Sequence, residues 1–193
     1  MSILMKDSNN ILIGDIPNNW NIKRIKDIVK IKISDGPHST PTLELEGIPF
    51  ISAEAIKNNK LDFNKKRGFI SEEAHREYSK KCKPQRNDIF IIKSGATTGN
   101  VAYVDTDIEF NIWSPLAVVR CNEYEAHYKF VYYQLLSDIF RKQVELSWSF
   151  GTQENIGMGV LGRLFITIPP FYEQKQIADF LDKATLQIDD AIK

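Results

Sequence analysis

The chain has 193 residues, 25 Lys and Arg against 25 Asp and Glu, and 42% apolar residues, which fits one domain with an appendage or two very small domains. Zero formal charge gives no overall bias towards nucleic acid or membrane, and no apolar run approaches a bilayer span. The N-terminal MSILMKDSNN lacks a signal-peptide pattern, Cys82 and Cys121 have no CxxC spacing, and His38, His75 and His127 have no metal-ligand spacing, so the reading is a reduced, cytoplasmic, metal-free protein.

Residues before Asp15 read as a loose arm, followed by a turn over 16–20 that leads to Trp20. Ile22, Ile25, Ile28 and Val29 suggest a short helix or irregular turn beside that tryptophan, and 29–33 alternates like a strand. The segment 34–42, SDGPHSTPT, is a polar loop with strong breakers. Residues 48–51 form a short strand, and Ser52 can cap a short helix through Ala55 and Ile56. Another strand covers 68–70, and Ser71 can cap a helix from Glu72 to about Lys80, with acids in its first turn. The clearest strand is 88–92; a tight turn over 93–99 returns it through 101–104 as a hairpin. A buried strand at 116–120 precedes one long helix, 127 to about 146, with Val131, Leu135, Leu136, Ile139, Phe140 and Val144 on one face. A polar-aromatic loop spans 147–154, and 156–164 reads as a short helix weakened by three glycines. The fold class is α+β, a curved mixed or antiparallel sheet with peripheral helices, followed by a coiled-coil-like C-terminal helix.

That last helix follows a strand at 165–168 and a stop at Pro169 and Pro170, because proline donates no ladder hydrogen bond and restricts its predecessor. Ile177, Leu181, Ala184, Ile188 and Ala191 are spaced as a heptad seam, with Phe180 and Ile192 beside it. No Gly or Pro closes the pattern before Lys193. Two arrangements fit: a helix packed on its own domain, or half of a helix pair that projects from it. The running heptad favours the second, which sets the boundary between a domain of residues 1–170 and a helix of residues 171–193.

Three enzyme-like motifs fail on inspection. KSGATTGN has its second glycine too early for a nucleotide-binding loop, Asn100 where lysine is required, and a strand where a helix should open. Ile168-Pro169-Pro170-Phe171 resembles an amino-methyltransferase motif, but Ile168 cannot hydrogen-bond a target amino group. No carboxylate pair has recognisable catalytic spacing. Three polar loops tell a more consistent story. His38, Ser39, Thr40 and Thr42 lie in the first, Lys93, Ser94, Thr97 and Thr98 in the second, and Ser147, Trp148, Ser149, Thr152, Gln153 and Asn155 in the third. Such donors and acceptors suit base edges and phosphates, although hydroxyl-rich turns are also simply good turns. Residues 57–86 carry ten basic residues against four acids, Lys65, Lys66 and Arg67 among them, and a basic stripe can follow a phosphate backbone.

An ordered set of motifs then resembles a known family. Pro17-x-x-Trp20, Gly47-Ile48-Pro49-Phe50-Ile51, Ile70-Ser71-x-Glu73, Asn87-Asp88-Ile89 and Ser94-Gly95-x-x-x-Gly99 come first. A Gly151-containing loop and Ile168-Pro169-Pro170-x-x-Glu173-Gln174-x-x-Ile177-Ala178-x-x-Leu181 complete the set. The chain resembles one target-recognition domain of a type I restriction–modification specificity subunit, with the start of that family's spacer helix. The resemblance implies a sequence-specific module for double-stranded DNA, without catalysis of its own. It implies a methyltransferase (modification) subunit and a restriction subunit as partners, with methyl donor and ATP bound there. A homodimer through the C-terminal helix, centred on Ile177, Phe180, Leu181, Ala184, Ile188 and Ala191, is a further expectation. The alternatives are a small DNA methyltransferase or nuclease component, and a dimerisation module that does not bind DNA.

Overall fold

The computed structural model describes residues 4–148 and 155–192. In chain order the elements are β1 (Met5–Asp7), β2 (Asp15–Pro17), β3 (Asn21–Arg24), β4 (Ser34–Asp35), β5 (Ile48–Ile51), β6 (Ile56–Lys57), β7 (Lys60–Leu61) and β8 (Gly68–Ile70). Then follow α1 (Glu72–Lys81), β9 (Ile89–Ile92), β10 (Val101–Tyr103), β11 (Asn111–Ile112), β12 (Leu116–Val119), α2 (Tyr128–Leu135), α3 (Asp138–Leu146), α4 (Met158–Leu161), β13 (Phe165–Ile168) and α5 (Phe171–Ile192). The fold is α+β as expected, with the sheet content divided among several small sheets.

The central sheet has the order β10-β9-β12-β4, antiparallel throughout. Strands β9, β10 and β12 read as apolar runs because both faces are covered. Side chains alternate across a strand, so Ile89, Ile91, Val101, Ala117 and Val119 enter one core. Phe90, Ile92, Ala102, Leu116 and Val118 enter the other. The first core is closed by α2, α3, α4, β13 and the start of α5. The second is closed by the region around Ala55 and Ile56, by Phe110 and Ile112, and by Cys82. Against the second core lies a smaller sheet, β11-β5-β8, whose β5–β11 pair is parallel.

Four local expectations are corrected. The arm before Asp15 is the first strand of a hairpin, Met5 facing Pro17. Residues 29–33 are not a strand: Val29 makes a single bridge to Cys121, and the pairing shifts to Ser34 and Asp35 on β12. The Ile22 region is a strand, β3 on β13, followed by a 3-10 turn at Ile25–Asp27. The long helix over 127–146 is two helices: α2 stops at Leu135 with Leu136 as its C-cap, and Ser137 caps α3, accepting from Phe140 N at 3.2 Å. The expected Ser71 cap is present, with its hydroxyl accepting from Ala74 N at 3.2 Å.

Helix α5 begins inside the domain. Gln174 and Ala178 are buried, and Ile177 packs on the first core, so Ile177 is not part of a free seam. The Gln174 carboxamide accepts from His127 N at 2.8 Å and donates to Glu125 O and Pro169 O, each at 3.0 Å. Its neighbour Glu173 accepts from Trp20 Nε1 at 2.9 Å and Asn19 Nδ2 at 3.0 Å. The first and last motifs of the chain are thus one clamp. Farther along, Asp182 accepts from Tyr133 Oη at 2.8 Å and pairs with Lys129, while Asp189 meets Lys60 at 3.3 Å. Gln174→Ala strands one buried N–H and two carbonyls, and is expected to cost about 1–3 kcal/mol. Urea denaturation followed by tryptophan emission checks this; an unchanged midpoint would mean that the carboxamide contacts are dispensable.

Candidate nucleic-acid interface

Three consecutive residues after β11 tie the polar elements together. Trp113 N donates to Ile51 O at 2.9 Å, Ser114 N donates to Pro37 O at 3.2 Å, and Pro115 O accepts from Lys93 N at 2.8 Å. The first loop leaves β4 through Gly36, where a Cβ would lie 1.9 Å from Ile112 O, so only glycine allows this approach. The second loop is joined to the third: Ile156 N donates to Lys93 O at 2.8 Å, and Ser94 bridges to Asn155. The guanidinium of Arg67 lies 4.2 Å from the Trp113 ring centroid, and Lys66 lies 4.9 Å from that of Phe69. Arg67 also approaches Glu54 at 3.6 Å. Lys65 is exposed at the end of the 3-10 turn Phe63–Lys65, which Asp62 caps by accepting from Asn64 N at 2.9 Å.

The sequence-predicted residues therefore divide. His38, Ser39, Thr40, Thr42, Thr97 and Asn155 are exposed. Thr98 is buried in its turn, its hydroxyl donating to Gly95 O at 2.6 Å. Ser147 donates to Gln143 O at 2.6 Å, and Trp148 packs on the first core. Ser149, Thr152 and Gln153, with Gly151, lie outside the described residues. The basic stretch is not a uniform stripe. Lys60, Lys80, Lys81, Lys83 and Arg86 are engaged with Asp189, Glu77, Asp35, Glu109 and Asp107. Hydrogen bonding from Arg86 holds the Asp107 carboxyl below its usual range, and Lys83 does the same for Glu109.

Sequence reasoning missed Trp113, Asp35 and Lys81. Trp113 follows a two-residue strand too short to give a pattern, and Asp35 looked like a turn residue. Asp35 is in fact buried, with its carboxylate 2.5 Å from Lys81 Nζ, 3.3 Å from Lys93 Nζ and 3.3 Å from His38 Nε2. Burial pushes its carboxyl pKa up, but the two lysines, Lys81 foremost, more than offset this and hold it below the usual carboxylate value. Among the described residues, no group of His, Cys, Asp and Glu could hold a metal ion, and no helix is long and apolar enough to cross a membrane.

A family model described as the type I restriction modification DNA specificity domain matches residues 17–193. A putative type I restriction enzyme MjaX specificity subunit from Methanocaldococcus jannaschii is 29% identical, over 88% of this chain and 40% of its own length. The fold resembles the HsdS subunit from Thermoanaerobacter tengcongensis, with a TM-score of 0.65 at 19% identity over 92% of this chain and 40% of that one. It also resembles the type I restriction–modification S subunit from M. genitalium, with a TM-score of 0.62 at 22% identity over 98% and 43%. A chain from a structure of type I restriction–modification complex assembly gives 0.66 at 21% identity, over 92% and 41%. This chain thus spans about two fifths of the length of each relative.

Proposed function

This chain belongs to the family of type I restriction modification DNA specificity domains, and from that premise we propose that it reads double-stranded DNA for a modification and restriction system. It acts in the cytoplasm as the specificity component and performs no catalysis itself. A methyltransferase subunit and a restriction subunit are its partners, and methyl donor and ATP bind to them. The observation that carries the DNA reading is the meeting of Arg67, the first loop and Lys93 on the single segment 113–115. Phosphate contacts would orient the duplex there, and exposed Ser39, Thr40, Thr42, Thr97 and Asn155 are the nearest candidates for base edges. The recognition unit takes in the first turns of α5, and the distal turns serve as the spacer and assembly helix.

The test is charge removal. Lys65→Gln, Lys66→Gln and Arg67→Gln together are expected to weaken binding to all duplexes alike. The plot of log affinity against log salt should become shallower by about 0.9 for each phosphate that is no longer neutralised. Fluorescence anisotropy with mixed-sequence duplexes at several salt concentrations measures both. An unchanged slope would place these residues away from the DNA.

A further inference from the structure

We propose that Asp35 is a positioning residue that holds Lys93, Lys81 and His38 as one cluster for a single backbone phosphate of duplex DNA. The proposal rests on the DNA-recognition reading and assigns it an anchor point. The cluster joins three parts of the chain: Asp35 ends β4, Lys81 ends α1, and Lys93 follows β9. One carboxylate faces two ammonium groups and an imidazole. Even with His38 neutral, the cluster therefore carries a surplus positive charge. A pair needed only for folding would require one lysine.

The arrangement puts the carboxylate behind Lys81 and His38. The Asp35 side chain is 7% exposed, against 48% for Lys81 and 71% for His38. An approaching phosphate would meet Lys81 and His38 before the carboxylate. The two lysines also differ in how well they are satisfied. Lys81 Nζ donates to Asp35 Oδ1 at 2.5 Å and to Gly36 O at 2.9 Å. Lys93 is only 11% exposed, and among the described residues its one ion pair is the 3.3 Å approach to Asp35. That is longer than a good charge-assisted hydrogen bond, and an ammonium has three donors. A largely buried cation with one long contact is costly unless another anion completes its shell. A lysine is a compact point charge, suited to phosphate more than to the planar edge of a base. Lys93 stands where this matters, because its N–H and C=O fasten the second loop to 113–115 and to 156.

The full chain is titrated with a fluorescein-labelled duplex of mixed sequence across a range of salt. Lys93→Met is expected to reduce the salt slope by about 0.9, and Lys93→Arg to retain it. Asp35→Asn separates positioning from charge. Removing a negative charge should tighten binding if only net charge counts. It should weaken binding and flatten the slope if Asp35 aims the lysines. Tighter binding by Asp35→Asn, or an unchanged slope for Lys93→Met, overturns the proposal while leaving DNA recognition standing. Should Asp35→Asn fail to fold, the two Lys93 variants decide alone. A parent chain that binds no duplex at low salt overturns both readings. Inorganic phosphate at matched ionic strength is expected to displace no more duplex than chloride does; preferential displacement would make this a free-phosphate site and overturn its assignment to DNA.

Discussion

Asp88→Ala is expected to destabilise the fold by about 3–5 kcal/mol, the usual cost of breaking a buried ion pair by removing one partner. Asp88 is fully buried where β9 begins, and Arg120 is mostly buried at the end of β12. The pair is bidentate, with Nε to Oδ1 at 2.7 Å and Nη2 to Oδ2 at 2.8 Å. Arg120 Nη2 also donates to Lys83 O at 2.9 Å, and Asp88 Oδ2 accepts from Gln85 N at 2.8 Å. Hydrogen bonding to Asp88 raises the Arg120 pKa above its ordinary value. Alanine would leave a guanidinium without its counter-charge beside the strand that both cores share. At roughly 2–4 °C per kcal/mol for a chain of this size, the melting temperature should fall by about 6–20 °C. Chemical denaturation with an unchanged m-value is the direct check. Asp88→Leu with Arg120→Met should recover part of the loss, because a buried pair is often worth little more than apolar residues of similar volume. A single-variant loss below about 1 kcal/mol would contradict the buried pairing.

This pair also shows what the sequence conveyed and what it withheld. Asn87-Asp88-Ile89 was visible as a motif, but not its reason. Asn87 takes a left-handed conformation, φ +71°, at the turn, and Asp88 reaches 32 residues along the chain to Arg120. Local chemistry was legible wherever it decided the outcome. The Ser71 cap, the Gly95 and Gly99 turn and the Pro169-Pro170 stop each placed an element. Where tertiary contacts decided, the sequence was silent or misleading. Strand β1 is exposed along its length, so no alternation announced it. Val29 and Ile33 face the first core but Ile31 between them is exposed, so the alternation over 29–33 does not mark a continuous buried strand face. Apart from the exposed Ile139, the apolar stripe over 127–146 is kept on both helices, and periodicity alone does not register a two-residue break at Leu136 and Ser137. For the interface, side-chain type found the loops. It could not show that Thr98 turns inward, that Asp35 gathers two lysines and a histidine, or that Trp113 carries Arg67.

Phe180→Asp with Ile188→Asp is expected to abolish association through α5 while leaving the domain folded. The helix has two unlike stretches. Its first turns are committed to the domain by Glu173, Gln174, Ile177 and Ala178. Asp182 and Asp189 continue that contact as polar tethers to Tyr133, Lys129 and Lys60. A second line, Phe180, Ala184, Ile188 and Ala191, follows helical spacing along another face. Phe180 is 68% exposed and Ile188 57%, with Leu186 and Ile192 also open. Small Ala184 and Ala191 between larger residues allow a second helix to come close. Tethers alone give the distal turns little buried area, and a short helix in water is marginal without packing. In the proposed assembly a partner helix, from a second copy or from the modification subunit, would supply that packing. Two aspartates forced into the contact would each lose hydration without a partner, together roughly 2–6 kcal/mol. At 1.4 kcal/mol per tenfold, association should weaken by at least about thirtyfold. Analytical ultracentrifugation over a concentration series, and co-purification with the modification subunit, measure it. Both positions lie outside the domain contacts, so the melting curve should match the parent's. A double variant that sediments and co-purifies like the parent would return the distal turns to a purely intradomain role.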